Sequence, residues 1–148
     1  MPTKSGPANV WSEAERAAMR AGARERKSAA RRDPAEERAE GEAELQAKIA
    51  DMPEPDRSMA KRVHALVTKA EPALVPKTYY GMPAYALNGK VICFFKPKSK
   101  FKVRYSTFEF QADANLDDGP FWPVSFAVKE LTTDVEARIK ALVKQAVR

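Results

Sequence analysis

The sequence predicts an α+β fold: an antiparallel sheet of about four to five strands with two main helices on one face, preceded by a polar leader that is helical or disordered. Two observations predict this class. Helical periodicity marks two segments, and between them the chain alternates apolar and polar residues around an Asn-Gly turn. Helices and strands that are segregated along a chain are typical of α+β domains rather than of alternating βαβ folds.

A break in composition divides the chain of 148 residues. Large apolar residues number 6 in residues 1–51 but 33 in residues 52–148, so the core must come mainly from the second part. We therefore expect a charged leader over residues 1–44, partly helical or disordered, and one α+β domain over residues 45–148. A domain of this size buries roughly two-thirds of its unfolded surface, which is enough for one modest core.

The leader is polar and highly charged. Ser12 and Glu15 have the spacing of a capping box, which predicts that a helix begins here. Basic residues dominate 12–32 and acidic residues dominate 33–44, so the two segments either pair as a loose helical hairpin or form a solvated tail. Acids and bases cancel within the first 51 residues, which leaves the net charge of +6 on the rest of the chain.

Three segments have the apolar spacing of helices. Leu45, Ile49 and Met52 predict a short helix that docks on the domain. Two longer helices are predicted, one over about 56–70 and one near the C-terminus, where Thr133 and Glu136 have the spacing of a capping box. Their apolar faces consist of Met59, Val63, Leu66, Val67 and Ala70 in the first helix and of Val135, Ile139, Leu142, Val143 and Ala146 in the second.

The strongest strand signal is a hairpin closed by Asn88-Gly89, which joins strands over 84–87 and 90–96. Its two-residue loop predicts the cross-strand pairs Leu87–Lys90, Tyr85–Ile92 and Ala84–Cys93. The face expected beneath the helices then holds Ala84, Ala86, Val91, Cys93 and Phe95. The opposite face holds Tyr85, Leu87, Lys90, Ile92 and Phe94.

Two further strands are predicted over 101–106 and 122–128, because apolar and polar residues alternate in both. A loop with an odd number of residues before the first of them keeps Lys102 and Arg104 on the solvent side, since burying two unpaired cations is costly. The sheet is then expected to present an open face that combines aromatic and basic side chains.

Composition also limits the chemistry that the chain can perform. One Cys and one His cannot supply the four ligands of a structural zinc site, and a lone Cys cannot form an internal disulfide. Cys93 lies in an apolar strand, which predicts a buried and inert thiol. The scattered glycines form no phosphate-binding loop. No apolar run approaches the ~20 residues of a membrane span. We therefore expect a cytoplasmic, non-enzymatic protein with no membrane partner.

Several motifs resemble a known family. Tyr80-Gly81-Met82-Pro83-Ala84-Tyr85, followed by Asn88-Gly89-Lys90 and Cys93-Phe94-Phe95, resembles the YdhG-like family of uncharacterised domains. The stretch Asn115-Leu116-Asp117-Asp118-Gly119, with Trp122-Pro123 and Phe126-Ala127, is similar to its actinobacterial-type branch. The similarity extends over about residues 49–148. Because that family is grouped with the YjbR and CyaY (frataxin) superfamily, the resemblance implies a bacterial protein with a compact α+β sandwich.

The resemblance implies a frataxin-like intracellular iron chaperone, with iron as its metal and an iron-recipient protein as its partner. Hard iron cations prefer carboxylate oxygens. The candidate iron ligands are Glu109, Asp113, Asp117 and Asp118. Asp117 and Asp118 equally fit an ordinary turn.

Two other functions stay open. Nucleic acid is an alternative partner, implied by YjbR-type relatives and by basic residues interleaved with aromatic ones. Its candidate contacts are Lys96, Lys98, Lys100, Lys102 and Arg104. A small-ligand or protein-interaction patch is the third hypothesis, formed by Tyr79, Tyr80, Met82, Tyr85, Phe94 and Trp122. Alternatively, Gly81 and Pro83 only shape the entrance of a strand.

Overall fold

The computed structural model describes residues 11–29 and 33–148, so residues 1–10 and 30–32 of the expected leader lie outside it. Five helices and five strands follow one another in this part of the chain. They are α1 (Glu13–Ala29), α2 (Pro34–Ala50), α3 (Asp56–Ala70), β1 (Val75–Tyr79), β2 (Met82–Leu87), β3 (Lys90–Lys96), α4 (Lys98–Phe101), β4 (Ser106–Phe110), β5 (Ser125–Val128) and α5 (Thr133–Ala146). None of these helices is long and apolar enough to cross a membrane.

The five strands form one antiparallel sheet in the order β1-β2-β3-β4-β5, so every strand lies beside its neighbour in sequence. This arrangement confirms the α+β class and the expected number of strands. The edge strand β1 was not predicted, because Pro76 lies within it. An edge strand tolerates proline, since its outer N–H groups need no partner strand.

Helices α2, α3 and α5 pack with one face of the sheet around the main core. The predicted helix over 56–70 is confirmed, and so is the C-terminal helix. The N-cap of α5 is Thr132 rather than Thr133, because the Thr132 hydroxyl accepts a hydrogen bond from the Val135 N–H at 3.2 Å. Leu45 and Ile49 of α2 also enter this core, so the expected boundary between residues 44 and 45 falls inside a helix.

The hairpin turn at Asn88-Gly89 is confirmed, with φ of 52° and 79° at its two residues. Leu87 pairs with Lys90 as predicted, but a bulge then shifts the register by one residue. The observed pairs are Tyr85–Cys93 and Ala84–Phe94, so the predicted pairs Tyr85–Ile92 and Ala84–Cys93 are wrong. Both Ile92 and Cys93 therefore join the main core.

Five residues around the bulge lie on the opposite face from the one predicted. Leu87 and Ile92 pack in the main core instead of on the open face. Tyr85 lies in the main core instead of on the open face, and Ala84 lies on the opposite face with Met82 and Phe94. Val91 also packs on that opposite face. The prediction missed these changes of face because a bulge inserts one unpaired residue, which reverses the side-chain alternation beyond it.

The predicted strand over 101–106 is wrong. Its first residue ends the short helix α4, Lys102 adopts a left-handed conformation with φ of 53°, and the strand that follows is β4. Buried Asp56 stabilises this bend, because its carboxylate accepts hydrogen bonds from the N–H and the hydroxyl of Ser99. Lys102 and Arg104 are exposed, but they lie in a loop and not on the sheet.

The second face of the sheet is not open over its whole width. Helix α1 lies across the part formed by β1 and β2, where Ala18, Ala21 and Gly22 are buried. Gly22 allows this contact, since a Cβ at this position would lie 2.8 Å from the ring of Tyr80. The capping box at the start of α1 is confirmed by a 3.1 Å hydrogen bond from the Glu15 N–H to the Ser12 hydroxyl.

Candidate functional site

A cleft of about 220 Å³ lies where the N-terminal half of α1 meets the second face of the sheet. We call it the α1–sheet cleft. Its walls and floor are formed by Trp11, Glu15, Ala18, Met19, Tyr80, Met82, Phe94, Lys96, Phe101 and Glu109. Most of these side chains are aromatic or aliphatic, which is typical of ligand pockets in proteins.

The β1–β2 turn sets the aromatic side of the cleft. Tyr79 pairs with Met82, which leaves a two-residue loop of Tyr80 and Gly81 with φ of 51° and 78°. Positive φ at both positions is the geometry of a tight hairpin turn, and glycine adopts it at little cost. The Tyr80 ring then meets Tyr79 edge to face at 4.5 Å, and Tyr79 meets Phe94 at 5.4 Å. A row of three rings therefore supports the cleft.

Charged groups of both signs line the same cleft. Lys96 ends β3 and holds its ammonium 5.0 Å from the centre of the Phe101 ring. Glu109 of β4 pairs with Phe94 of β3. Its carboxylate accepts a hydrogen bond from the Thr107 hydroxyl at 2.7 Å. A ligand in the cleft would therefore meet an apolar surface with one cation and nearby carboxylates.

The structure brings together only part of the predicted aromatic patch. Tyr80, Met82 and Phe94 line the α1–sheet cleft, and Tyr79 supports it. Tyr85 does not reach it, because the bulge turns this residue into the main core. Trp122 is also remote from it. It lines a separate groove beside α5, together with Phe126 and Leu142.

Sequence reasoning missed Trp11, Met19 and Phe101 as parts of the cleft. The available signal was the face of α1 that carries Ala18, Ala21 and Gly22, since small residues let a helix approach a sheet closely. Hydrophobic periodicity gives such a face little weight, because alanine and glycine bury little apolar area.

The five predicted basic residues lie in three different segments of the chain. Lys96 lies at the cleft, Lys98 and Lys100 lie on α4, and Lys102 and Arg104 lie in the exposed loop. Lys100 turns toward Gly81. Burial lowers the pKa of the Lys100 ammonium below its ordinary value, nearby Lys48 lowers it further, and Glu25 opposes the shift.

The four predicted iron ligands lie apart. Glu109 faces the α1–sheet cleft, Asp113 lies 3.6 Å from the ammonium of Lys90, and Asp117 and Asp118 line the groove beside α5. Among residues 11–29 and 33–148, no three His, Cys, Asp or Glu side chains are grouped so that they could hold a metal ion.

Comparisons with protein-family models, with curated proteins and with solved structures find no match for this chain.

Proposed function

We propose that the chain is a small binding protein whose α1–sheet cleft holds a compact ligand with an aromatic or other apolar body and a charged head. One observation supports this function above the others. Aromatic side chains from before α1, from the β1–β2 turn, from β3 and from α4 converge on one space that also contains Lys96 and Glu109. Trp11 and Met19 at its rim are 51% and 42% exposed, so a ligand has apolar surface left to cover.

The floor of the cleft indicates the body of the ligand. The floor consists of the flat rings of Phe94 and Phe101 and the flexible side chain of Met82. These apolar surfaces suit a ring of about the size of phenyl. Burying a phenyl group is worth about 1.5–3 kcal/mol. A partly open cleft of about 220 Å³ suits a single ring better than a large polycyclic ligand.

The charged side chains of the cleft indicate the head of the ligand. Lys96 can pair with an anionic group, and Glu109 can pair with an ammonium group, since the two side chains line the same cleft. Charge-assisted hydrogen bonds of this kind are stronger than neutral ones. A zwitterionic head satisfies both side chains together, so a zwitterionic aromatic compound is the expected ligand class.

A fluorescence titration tests this function. The Trp122→Phe variant leaves Trp11 as the single tryptophan, and its emission then reports on the rim of the cleft. The probes are phenylalanine, phenylacetate and phenethylamine, which share a phenyl body and carry a zwitterionic, an anionic and a cationic head. We expect phenylalanine to bind best, with a Kd of roughly 1 mM.

Two variants separate the roles of the charges. Lys96→Met should weaken phenylacetate and phenylalanine but not phenethylamine, whereas Glu109→Gln should weaken phenethylamine and phenylalanine. Lys144→Met removes an exposed cation on α5 and serves as the matched control. Emission of Trp11 that does not change with any probe at about 20 mM, well above the expected Kd, would contradict the proposal.

Membership of the YdhG-like family, and the iron-handling role that it implies, remain predictions from the resemblance. Ferrous titration calorimetry checks that role, and Asp117→Asn with Asp118→Asn should weaken any iron binding at least about tenfold, ~1.4 kcal/mol. Nucleic-acid binding also remains a prediction, with Lys96, Lys98, Lys100, Lys102 and Arg104 as its candidate contacts. Neither role is favoured by a contact among the described residues.

A further inference from the structure

A carboxylate of α1 is bound by the turn between β1 and β2. Glu25 accepts one hydrogen bond from the Tyr80 N–H at 2.9 Å and a second from the Gly81 N–H at 3.1 Å. Both turn residues have positive φ, 51° and 78°. Successive N–H groups of such turns can form a concave site for an anion. The turn therefore already acts as a receptor for one oxyanion, which this chain supplies itself.

Two lysines increase the positive potential of this turn. The Lys100 ammonium lies so close to Gly81 that a Cβ there would be 2.7 Å from its nitrogen. Lys48 of α2 lines a cavity of about 290 Å³ together with Gly81 and Lys100. Asp51 lines the same cavity, and the charge of Glu25 opposes the lowering of the Lys100 pKa. We call the two amides with Lys100 and Lys48 the turn anion site.

Helix α1 also contacts this region through small side chains. Its buried positions next to the turn are Ala18, Ala21 and Gly22, which bury little apolar area. Arg26 adds a contact of its guanidinium at 5.9 Å from the centre of the Tyr80 ring. The two hydrogen bonds of Glu25 therefore help to keep this part of α1 in place.

We propose that the turn anion site binds the carboxylate or phosphate group of an external ligand, and that Glu25 occupies it as an internal stand-in. An external oxyanion and Glu25 compete for the same two N–H groups. Binding of the oxyanion therefore releases the C-terminal half of α1 from the sheet. This site adjoins the α1–sheet cleft but is distinct from it, because Tyr80 lines that cleft whereas Gly81, Lys100 and Lys48 do not.

The amide resonance of Gly81 in the full-length, ¹⁵N-labelled chain tests the proposal. Inorganic phosphate and acetate are the two probes, and they distinguish phosphate from carboxylate recognition. In Glu25→Ala, at least one of them should shift this resonance saturably, with an affinity at least about tenfold above that of the unaltered chain. Adding Lys100→Met should then reduce that affinity at least about fivefold.

Glu13→Ala is the matched control, since this exposed residue lies on the same helix and its carboxylate pairs with Arg16 and Arg20 of α1. It should behave like the unaltered chain. The proposal is overturned if neither probe shifts Gly81 in Glu25→Ala, if Glu13→Ala has the same effect, or if Lys100→Met leaves the affinity unchanged. Should Glu25→Ala fail to fold, Glu25→Gln replaces it, because the neutral amide keeps an acceptor oxygen but competes more weakly with an anion.

Discussion

His64 joins three elements of the main core. Its Nδ1 lies 2.9 Å from the hydroxyl of Tyr85 on β2, and its Nε2 lies 2.8 Å from a carboxylate oxygen of Glu42 on α2. Burial alone would raise the pKa of Glu42, but hydrogen bonds from Gln46 and His64 lower it overall. Since Tyr85 is fully buried, its hydroxyl would be costly without this partner.

Tyr85→Phe should therefore destabilise the fold by about 1–3 kcal/mol, because it removes the hydroxyl and leaves a ring nitrogen of His64 without its partner. Urea denaturation measures this loss. Tyr105→Phe is the matched control, since Tyr105 packs against Arg104 in the loop before β4 and should change stability little. Equal midpoints for Tyr85→Phe and the unaltered chain would show that the hydrogen bond contributes nothing.

Because Tyr85 is buried, we also expect the chain to lose stability at alkaline pH. Burial raises the pKa of its phenol well above 10.0, and the nearby Cys93 and Glu42 raise it further. The unfolded chain releases this proton near pH 10 while the folded chain keeps it, so stability falls as the pH rises above about 10. Tyr85→Phe removes this contribution. The stability difference between the two chains, measured by urea denaturation, should therefore shrink between about pH 8 and pH 11.

At the scale of elements, two glycines determine how the first two helices meet β1 and its turn. Gly22 allows α1 to lie on Tyr80, and Gly41 allows α2 to lie on β1. The second approach is the closer one, because a Cβ at Gly41 would lie 2.1 Å from the carbonyl oxygen of Pro76. Backbone of a strand cannot move aside as a flexible side chain can.

Gly41→Ala should consequently destabilise the chain by about 1–3 kcal/mol through overpacking. The sign of the effect is decisive, since the same change at a free helical position would stabilise by about 1 kcal/mol. Ala43→Gly, at an exposed position of α2, provides the reference for helix propensity alone. Thermal midpoints of the three chains give the comparison, and a higher midpoint for Gly41→Ala would contradict the close approach.

At the scale of the whole molecule, the sequence predicted what local patterns determine. The apolar spacing of α3 and the turn at Asn88-Gly89 depend on neighbouring residues, so both were found. Tyr85, beside the bulge, bonds to His64 of α3, and Ser99, in the helix before the bend at Lys102, bonds to Asp56. Alternation along a strand carries no information about such distant partners. Tyr80, Met82 and Phe94 of the α1–sheet cleft were predicted, because they lie in the hairpin segments. The wall formed by α1 was not predicted, because it comes from a distant part of the chain.

The α1–sheet cleft exists only if α1 belongs to the domain. Nuclear Overhauser effects in the full-length chain test this most directly. The structure predicts contacts from the Gly22 Hα protons to the Tyr80 ring and from the Ala21 methyl to Gly81, together with an upfield ring-current shift at Gly22. Random-coil shifts over residues 13–29, with none of these contacts, would contradict the account, because the cleft would then have no second wall.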